Sequence, residues 1–407
     1  MIKRGLVLAF GIVFGLEGQP VYRPSLDESA IAYSGPARDA VSLLRGRLER
    51  GETQLEWSDR FGYLESVLRE LHVPVSSQTL VFSKTSLQIA KISPEHPRAL
   101  YFNDEIYIGF VRGGLLELAA VDPVKGAVFY VMEQKKTPKP QLLRRDSDCL
   151  QCHFTLNTLQ TPGFLTRSVY STRGGEVIPE AGGFFTDQHS PLEQRWGGWF
   201  VTGTSGAQRH MGNEFAGGGK NRINMDHGSN VTDLKGRVNM AQYPVPDSDL
   251  TALMVLNHQI GMHNLITRMG YEARLGREEL PRTIEASLRY MLFTNEAQLR
   301  DETKGTSSFR ADFEALGPKD GQGRSLRQFD MKSRMFRYPC SFLIYSEAFD
   351  ALPQAAKDPF LKRLWDILSG KDQSTTFSKL SADDRKAILG ILVDTKKGLP
   401  DYFRANR

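Results

Sequence analysis

Residues 99–132 read ALYFNDEIYIGFVRGGLLELAAVDPVKGAVFYVM. β-branched and aromatic residues cluster here in short runs at 99–102, 106–111, 115–121 and 127–132. The pairs Asn103-Asp104, Gly113-Gly114 and Asp122-Pro123, with Gly126, separate the runs, and such residues are typical of turns. Together with a similar run at 80–82, this segment predicts a small antiparallel sheet.

The sequence on both sides of this segment has a helical period. Apolar residues recur every three or four positions between residues 37 and 73, and again in 247–275, 282–302, 358–368 and 382–397. Short strands are also expected around residues 164–179 and 196–202. We therefore predict an α+β fold, with antiparallel sheet regions early and around residue 150, and a helical C-terminal half.

Beyond the predicted sheet, residues 149–153 read CLQCH. Two thiols three positions apart can form thioether bonds to the vinyl groups of a haem, and the adjacent imidazole can bind its iron. The sequence therefore predicts one covalent haem c, attached through Cys149 and Cys152, with His153 as an axial iron ligand.

The same two cysteines permit other chemistry. A C-x-x-C pair also occurs as a redox-active disulfide or as half of a zinc site. A zinc site would need two further ligands, and a thioredoxin-like site would need a βαβ frame that this sequence does not suggest. Cys340, the third cysteine, lies in an apolar stretch and is expected to be a small buried side chain.

The first eighteen residues resemble a secretory signal peptide. Lys3 and Arg4 precede an apolar run at 5–16, and the small residue Gly18 precedes polar sequence. Such a segment predicts a periplasmic or otherwise exported protein. In bacteria, covalent haem attachment of this type takes place beyond the cytoplasmic membrane, so the two predictions support each other.

The remaining composition is that of a soluble globular chain. Of 407 residues, 40% are hydrophobic and 24% are charged, and no later apolar run is long enough to span a membrane. The net charge of +5 is spread without a long basic run, which argues against a nucleic-acid partner. The expected partners are redox proteins, either soluble or membrane-bound.

We divide the chain into four parts on this basis. They are a signal peptide at 1–18, a helical segment with a small antiparallel sheet at 19–140, a haem-attachment region with strands and irregular Gly-rich loops at 141–245, and a helical region at 246–407 that packs on the haem region.

The sixth iron position decides the function, and His258 is the preferred candidate for it. On a helix over 247–275, His258 falls near the centre of an apolar face, where an imidazole needs a polar partner. We therefore predict that His153 and His258 both bind the metal. A buried hydrogen bond is the alternative role of such a histidine.

Other residues compete with His258 for the sixth position. His210 and Met211 lie at a separation from His153 similar to that of the distal methionine in small cytochromes c, and Met254 shares the apolar helix face. Met262, His227 and an open position are the remaining alternatives. Four arginines are candidates for neutralising the haem propionates, although each also fits an ordinary surface or core role: Arg144, Arg145, Arg167 and Arg195.

Two functions follow from these alternatives. An iron that protein residues bind on both faces predicts an electron carrier. We favour this function because the residues identified above are sufficient for it. An open or displaceable sixth position predicts a haem-dependent oxidoreductase, peroxidase-like or acting as a small-molecule oxidase, and the chain is long enough for one.

The CLQCH motif resembles that of c-type cytochromes in general. Three further stretches are similar to segments of a poorly characterised group of exported bacterial monohaem cytochrome-c-like proteins: PRALYFND from Pro97, RWGGWFVTGT from Arg195 and RYPCSFLIYS from Arg337. The resemblance implies the same covalent haem c through Cys149, Cys152 and His153. It implies no particular activity.

Overall fold

The computed structural model describes residues 26–217 and 223–404. The predicted signal peptide at 1–18 lies outside the described residues. None of the helices in the described ranges combines the length and apolar character that crossing a membrane requires.

The predicted antiparallel sheet is present and is wider than expected. The strands are β1 (Thr79–Val81), β2 (Arg98–Phe102), β3 (Ile106–Phe110), β4 (Leu115–Asp122), β5 (Gly126–Glu133), β6 (Leu143–Arg144), β7 (Arg167–Val169), β8 (Gly183–Phe185), β9 (Trp199–Phe200), β10 (Gly203–Thr204) and β11 (Lys304–Gly305). Seven of them form the sheet in the order β6-β5-β4-β3-β2-β1-β9, and every neighbouring pair is antiparallel. The other four form two small antiparallel ribbons, β7-β8 and β10-β11.

The helices lie mainly in the C-terminal half, which confirms the predicted α+β class. They are α1 (Ala40–Glu49), α2 (Leu64–Glu70), α3 (Asp146–His153), α4 (Met225–Gly228), α5 (Leu250–Arg274), α6 (Leu280–Met291), α7 (Phe309–Ala315), α8 (Glu347–Asp350), α9 (Gln354–Leu368) and α10 (Ala382–Thr395).

The boundaries differ from the predicted ones in places. The helix expected over 282–302 ends at Met291, and Phe293 shortly after it has a positive φ of 54°, which an α-helix does not allow. Strands β6 and β9 come after residue 140 but belong to the same sheet as β1 to β5. The boundary predicted between residues 140 and 141 therefore divides a single sheet.

The two faces of the sheet pack against different parts of the chain. Successive residues of β4 point to opposite faces, as in any strand. Leu116 and Leu118 belong to a core shared with Val41 of α1 and Val67 of α2. On the other face, Val121 joins the main core, which is built around α5 and the C-terminal helices.

Helix α5 is the centre of the main core. Asp249 caps its first turn by accepting a hydrogen bond of 2.9 Å from the Ala252 amide. The helix is buried on almost every side, including polar residues such as Asn257, His258 and Asn264. A helix buried all round must find internal partners for its polar side chains, and Asn257, His258 and Asn264 bond to elements on different sides of α5.

Candidate functional site

Helix α3 carries the whole CLQCH motif. It begins at Asp146 and ends at His153, so both cysteines and the histidine lie within its last two turns. Side chains three or four positions apart on a helix are neighbours, which brings Cys149 close to both Cys152 and His153. Asp146 and Asp148 lie in the first turn, where their negative charges interact favourably with the helix dipole.

The two cysteines are free thiols, and they differ in burial. Cys149 is half-buried and packs against the main core, whereas Cys152 is exposed. Burial raises the pKa of Cys149 to about 11, and the nearby Glu117 acts in the same direction. A redox-active C-x-x-C pair needs a thiol with a lowered pKa, so this environment does not favour the disulfide alternative.

The imidazole of His153 is held in one orientation by Gly163. Its Nδ1 lies 2.8 Å from the Gly163 carbonyl oxygen, and the Gly163 amide donates to the His153 carbonyl at 2.9 Å. A carbonyl only accepts, so Nδ1 carries the proton and the Nε2 lone pair is available. Among the described residues, no hydrogen bond engages Nε2.

The protonation state of His153 suits metal binding. Its ring packs against Phe129 with 4.8 Å between centroids, and burial lowers its pKa. The imidazole is therefore neutral at neutral pH. A neutral histidine that donates Nδ1–H to a backbone carbonyl and presents Nε2 has the arrangement that metal-binding histidines commonly adopt.

A partly exposed apolar surface lies on the sheet beside the motif. Strand pairing puts Leu100, Gly109, Glu117, Val131 and Leu143 in one row across β2, β3, β4, β5 and β6. The next row on the same face contains Ala119 and Phe129, against which His153 packs. We call the four apolar members that remain partly exposed the apolar shelf: Leu100, Ala119, Val131 and Leu143.

The apolar shelf is only partly covered by the rest of the protein. Most sheet residues of this protein are covered by helices, but Leu143 keeps 48% of its surface exposed. Leu156 and Leu159, just beyond the motif, are also exposed, at 56% and 37%. Covering such surface with a porphyrin would yield roughly 25 cal/mol for each Å² removed from water.

The ion pair between Arg98 and Glu117 contributes to the electrostatic environment of His153. Arg98 Nη2 lies 2.6 Å from Glu117 Oε2, and both side chains are about one fifth exposed. Gln88 Nε2 also donates to Glu117 Oε1 at 3.0 Å. Both charges act on His153, where Arg98 lowers its pKa and Glu117 raises it. The pair is thus part of the electrostatic environment of the predicted axial ligand.

The structure gives His258 a different role from the predicted metal ligand. Its Nδ1 lies 2.5 Å from Gln188 Oε1, and its Nε2 lies 2.8 Å from Ser341 Oγ. Gln188 donates its amide to the Tyr290 carbonyl, which fixes Oε1 as the acceptor for Nδ1–H. Nε2 then accepts from the Ser341 hydroxyl, so neither nitrogen of His258 has a free lone pair.

His258 also lies on a different side of α5 from the residues that reach the motif region. Its ring neighbours are Phe293, Tyr290, Phe336 and Phe342 of the C-terminal half. Burial lowers its pKa to about 3, so it is a neutral, hydrogen-bonded core residue. The helical period identified an apolar face correctly, but α5 is buried on both faces, and the period cannot tell which one faces the motif.

The opposite face of α5 contacts the segment after the motif. Asn264 bonds to the backbone of Phe164, and Arg268 donates to the Leu159 carbonyl at 3.2 Å. His263 lies near the ring of Phe164, with 5.9 Å between centroids, and its Nε2 bonds to the Asp104 carbonyl at 2.7 Å.

The other candidates for the sixth position also have partners in the core. His210 Nδ1 accepts from the Gly212 amide at 3.1 Å, and its ring packs on Trp196. The sulfur of Met211 accepts from Ser168 Oγ at 3.5 Å. Met254 is buried in the main core. In the described part of the chain, these hydrogen-bond and ring contacts of His210 and Met211 involve no residue of α3.

The four arginines considered for the propionates all have partners within the protein, and two of them pair with aspartates of α3. Arg195 is buried and donates to the carbonyls of Gln188 and Ser190. Arg144 binds Asp146 and the carbonyl of Gly35, and Arg145 pairs with Asp148. The guanidinium of Arg167 lies over the exposed ring of Phe185. Arg98, which the sequence did not single out, is the one whose charge reaches His153.

Within residues 26–217 and 223–404, no three His, Cys, Asp or Glu side chains are grouped as a metal site. A structural zinc ion takes four protein ligands, whereas haem iron needs only one or two because the porphyrin supplies four nitrogens. Cys340 is fully buried, as its apolar neighbours predict, and burial raises its pKa to about 12.

Comparisons with protein-family models, with curated proteins and with solved structures find no match for this chain. The function of the chain is therefore inferred from the site itself.

The residues that support His153 were not identified from the sequence. Phe129, Gly163 and Asn264 come from a strand, a loop and a distant helix, and no motif joins them. Gly163, following Pro162, reads as an ordinary turn residue in the sequence.

Proposed function

We propose that this chain is an exported monohaem c-type cytochrome whose main role is electron transfer. Cys149 and Cys152 would hold the haem through thioether bonds, and His153 would bind its iron. The orientation of His153 is the observation that carries the proposal, because the Gly163 carbonyl accepts a hydrogen bond from Nδ1–H and leaves the Nε2 lone pair available, on the same short helix as two free thiols. The apolar shelf supplies a surface of matching chemistry.

Electron transfer is supported by the position of the motif at the surface. Helix α3 has no fully buried residue, and Cys152 is exposed. A cofactor attached there would keep one edge near solvent, where a redox partner can approach it. Haem supplies one-electron chemistry when bound, while the protein sets its potential through the ligand, the hydrogen bonds and the burial of the site.

Haem staining of the denatured protein tests the attachment. The full chain is expressed in a bacterium that matures c-type cytochromes, next to a Cys149→Ser/Cys152→Ser double variant. We expect a band that stains for haem after denaturing electrophoresis, and no such band for the double variant. A wild-type band that does not stain, from cells that mature a control cytochrome, would refute the proposal.

A haem-dependent oxidoreductase is the second candidate, and one observation favours it. Three of the side chains predicted for the sixth position, His258, His210 and Met211, bond to core residues outside α3. An iron with no protein ligand on that face would leave the position open to a small molecule.

Ligand binding separates the two candidates. An open position predicts that cyanide shifts the spectrum of the oxidised protein and that nitric oxide shifts that of the reduced protein within seconds of mixing. An iron ligated on both faces predicts slow or absent binding of both ligands. The first result favours the oxidoreductase and the second the electron carrier.

A further inference from the structure

The carbonyl that orients His153 belongs to an irregular loop. Residues 154–163 leave α3 and return to it, so that Gly163 bonds to His153 through both its amide and its carbonyl. Leu159 and Gln160 in this loop have positive φ angles of 56° and 53°, which are unfavourable for residues other than glycine. A loop of this kind needs support from outside itself to keep one carbonyl in place.

Support comes from both neighbours of Gly163. The Pro162 carbonyl accepts a hydrogen bond of 3.0 Å from the Ala127 amide of β5. On the other side, Asn264 of α5 bonds to both backbone groups of Phe164. Its Oδ1 accepts from the Phe164 amide at 2.9 Å, and its Nδ2 donates to the Phe164 carbonyl at 2.8 Å.

Asn264 suits this task in size and in chemistry. Its amide offers one acceptor and one donor side by side, as a neighbouring strand would. It is buried, with 5% of its surface exposed, so water does not replace these bonds easily. The contact with the loop is also close, because a Cβ on Gly163 would lie 2.3 Å from Asn264 Oδ1.

Helix α5 is a firm support for this contact. One turn further along the same side, Arg268 donates to the Leu159 carbonyl of the same loop. The helix therefore holds the loop at two points, and the rest of it is packed in the main core.

We propose that Asn264 is a positioning residue for the axial histidine and that it sets the reduction potential of the iron through Gly163. This inference rests on the proposed haem site. A strong bond from Nδ1–H to a carbonyl makes imidazole a better electron donor, which favours oxidised iron and lowers the potential. Loosening the Gly163 carbonyl weakens that bond and raises the potential.

The test compares two asparagines of α5 in the haem-loaded protein. Asn264→Leu removes both bonds to Phe164. The matched control is Asn257→Leu, since Asn257 is also buried and bonds to Trp196 Nε1 at 3.0 Å and to Thr166 Oγ1 at 2.7 Å. Both variants should lose thermal stability. Only Asn264→Leu should raise the midpoint potential and change the electron paramagnetic resonance of the oxidised iron.

A potential that moves equally in both variants, or in neither, would overturn the role of Asn264. If Asn264→Leu does not fold, Asn264→Ala removes the same two bonds without adding an apolar branch, and the same comparison applies. The proposed function fails separately, through absence of covalent haem from the wild-type chain, and that result would overturn both.

Discussion

Replacing His258 by leucine separates the predicted iron ligand from the observed core residue. The structure predicts that His258→Leu lowers the free energy of unfolding and, in a protein that carries the proposed haem, leaves the ligands of its iron unchanged. The imidazole is fully buried and bonds at both nitrogens, so its loss affects Gln188 and Ser341 and no residue of α3.

The expected loss of stability can be worked out from these contacts. Leucine nearly fills the volume of the ring, so the cavity contribution is small. The variant leaves Gln188 Oε1 and the Ser341 hydroxyl without their histidine partner in a buried site. Each orphaned polar group costs about 1–3 kcal/mol, so the two together cost about 2–6 kcal/mol. That is a large share of a typical unfolding free energy of about 5–15 kcal/mol.

Urea unfolding at pH 7 measures this loss, and His96→Leu is a suitable control because His96 is exposed. We expect the control to change stability by less than about 0.5 kcal/mol. The optical spectrum of the haem-loaded His258→Leu protein should match that of the wild type below the unfolding transition. A changed iron spectrum in the folded variant, or a stability loss below about 1 kcal/mol, would refute this account of His258.

The remaining predictions concern pH, charge and close packing. Burial lowers the pKa of three histidines from 6.5 to about 3 or 4, namely His210, His258 and His263. The unfolded chain therefore binds more protons below pH 6.5, and each histidine removes up to about 1.4 kcal/mol of stability per pH unit as the pH falls. Burial raises the pKa of Glu296 to about 7, so its protonation offsets the effect of one histidine between pH 7 and 4.5. The free energy of unfolding in urea should therefore be lower at pH 5 than at pH 6 by about 2–3 kcal/mol. Equal free energies at the two pH values would contradict the burial of these rings. Glu117→Gln removes a negative charge that acts on His153. In the haem-loaded protein it should raise the midpoint potential of the iron by ~40–80 mV, equivalent to about 1–2 kcal/mol. A lower midpoint potential in a potentiometric titration would contradict this prediction. Gly163→Ala places a methyl group 2.3 Å from Asn264 Oδ1 and should cost about 1–3 kcal/mol in urea unfolding, whereas a neutral effect would show that the loop is loosely held.

The sheet and the main helices could be predicted because their signals are local. The runs between Ala99 and Met132 alternate with turn residues, and each became a strand within a residue or two of its predicted limits. Helix α5 has both a capping aspartate and a long helical period. Strand β9 lies within the strand predicted at 196–202, whereas β6 was not predicted, because a two-residue strand carries almost no pattern of its own.

The candidate site was predictable only where it is contiguous in sequence. Cys149, Cys152 and His153 share one short helix, so their spacing alone brought them together. The partner of His258 could not be inferred, because Gln188 and Ser341 lie 70 and 83 positions away. The same holds for Asn264, whose contact with Phe164 spans 100 positions.

Mass spectrometry of the digested protein tests the central claim most directly. The full chain is matured in a bacterium that attaches haem c, denatured, extracted with acid acetone and cleaved by a protease. We predict that the mass of the peptide containing Cys149, Cys152 and His153 exceeds that of the unmodified peptide by the mass of one haem. The same peptide recovered without haem, with its cysteines free or joined as a disulfide, would contradict the account.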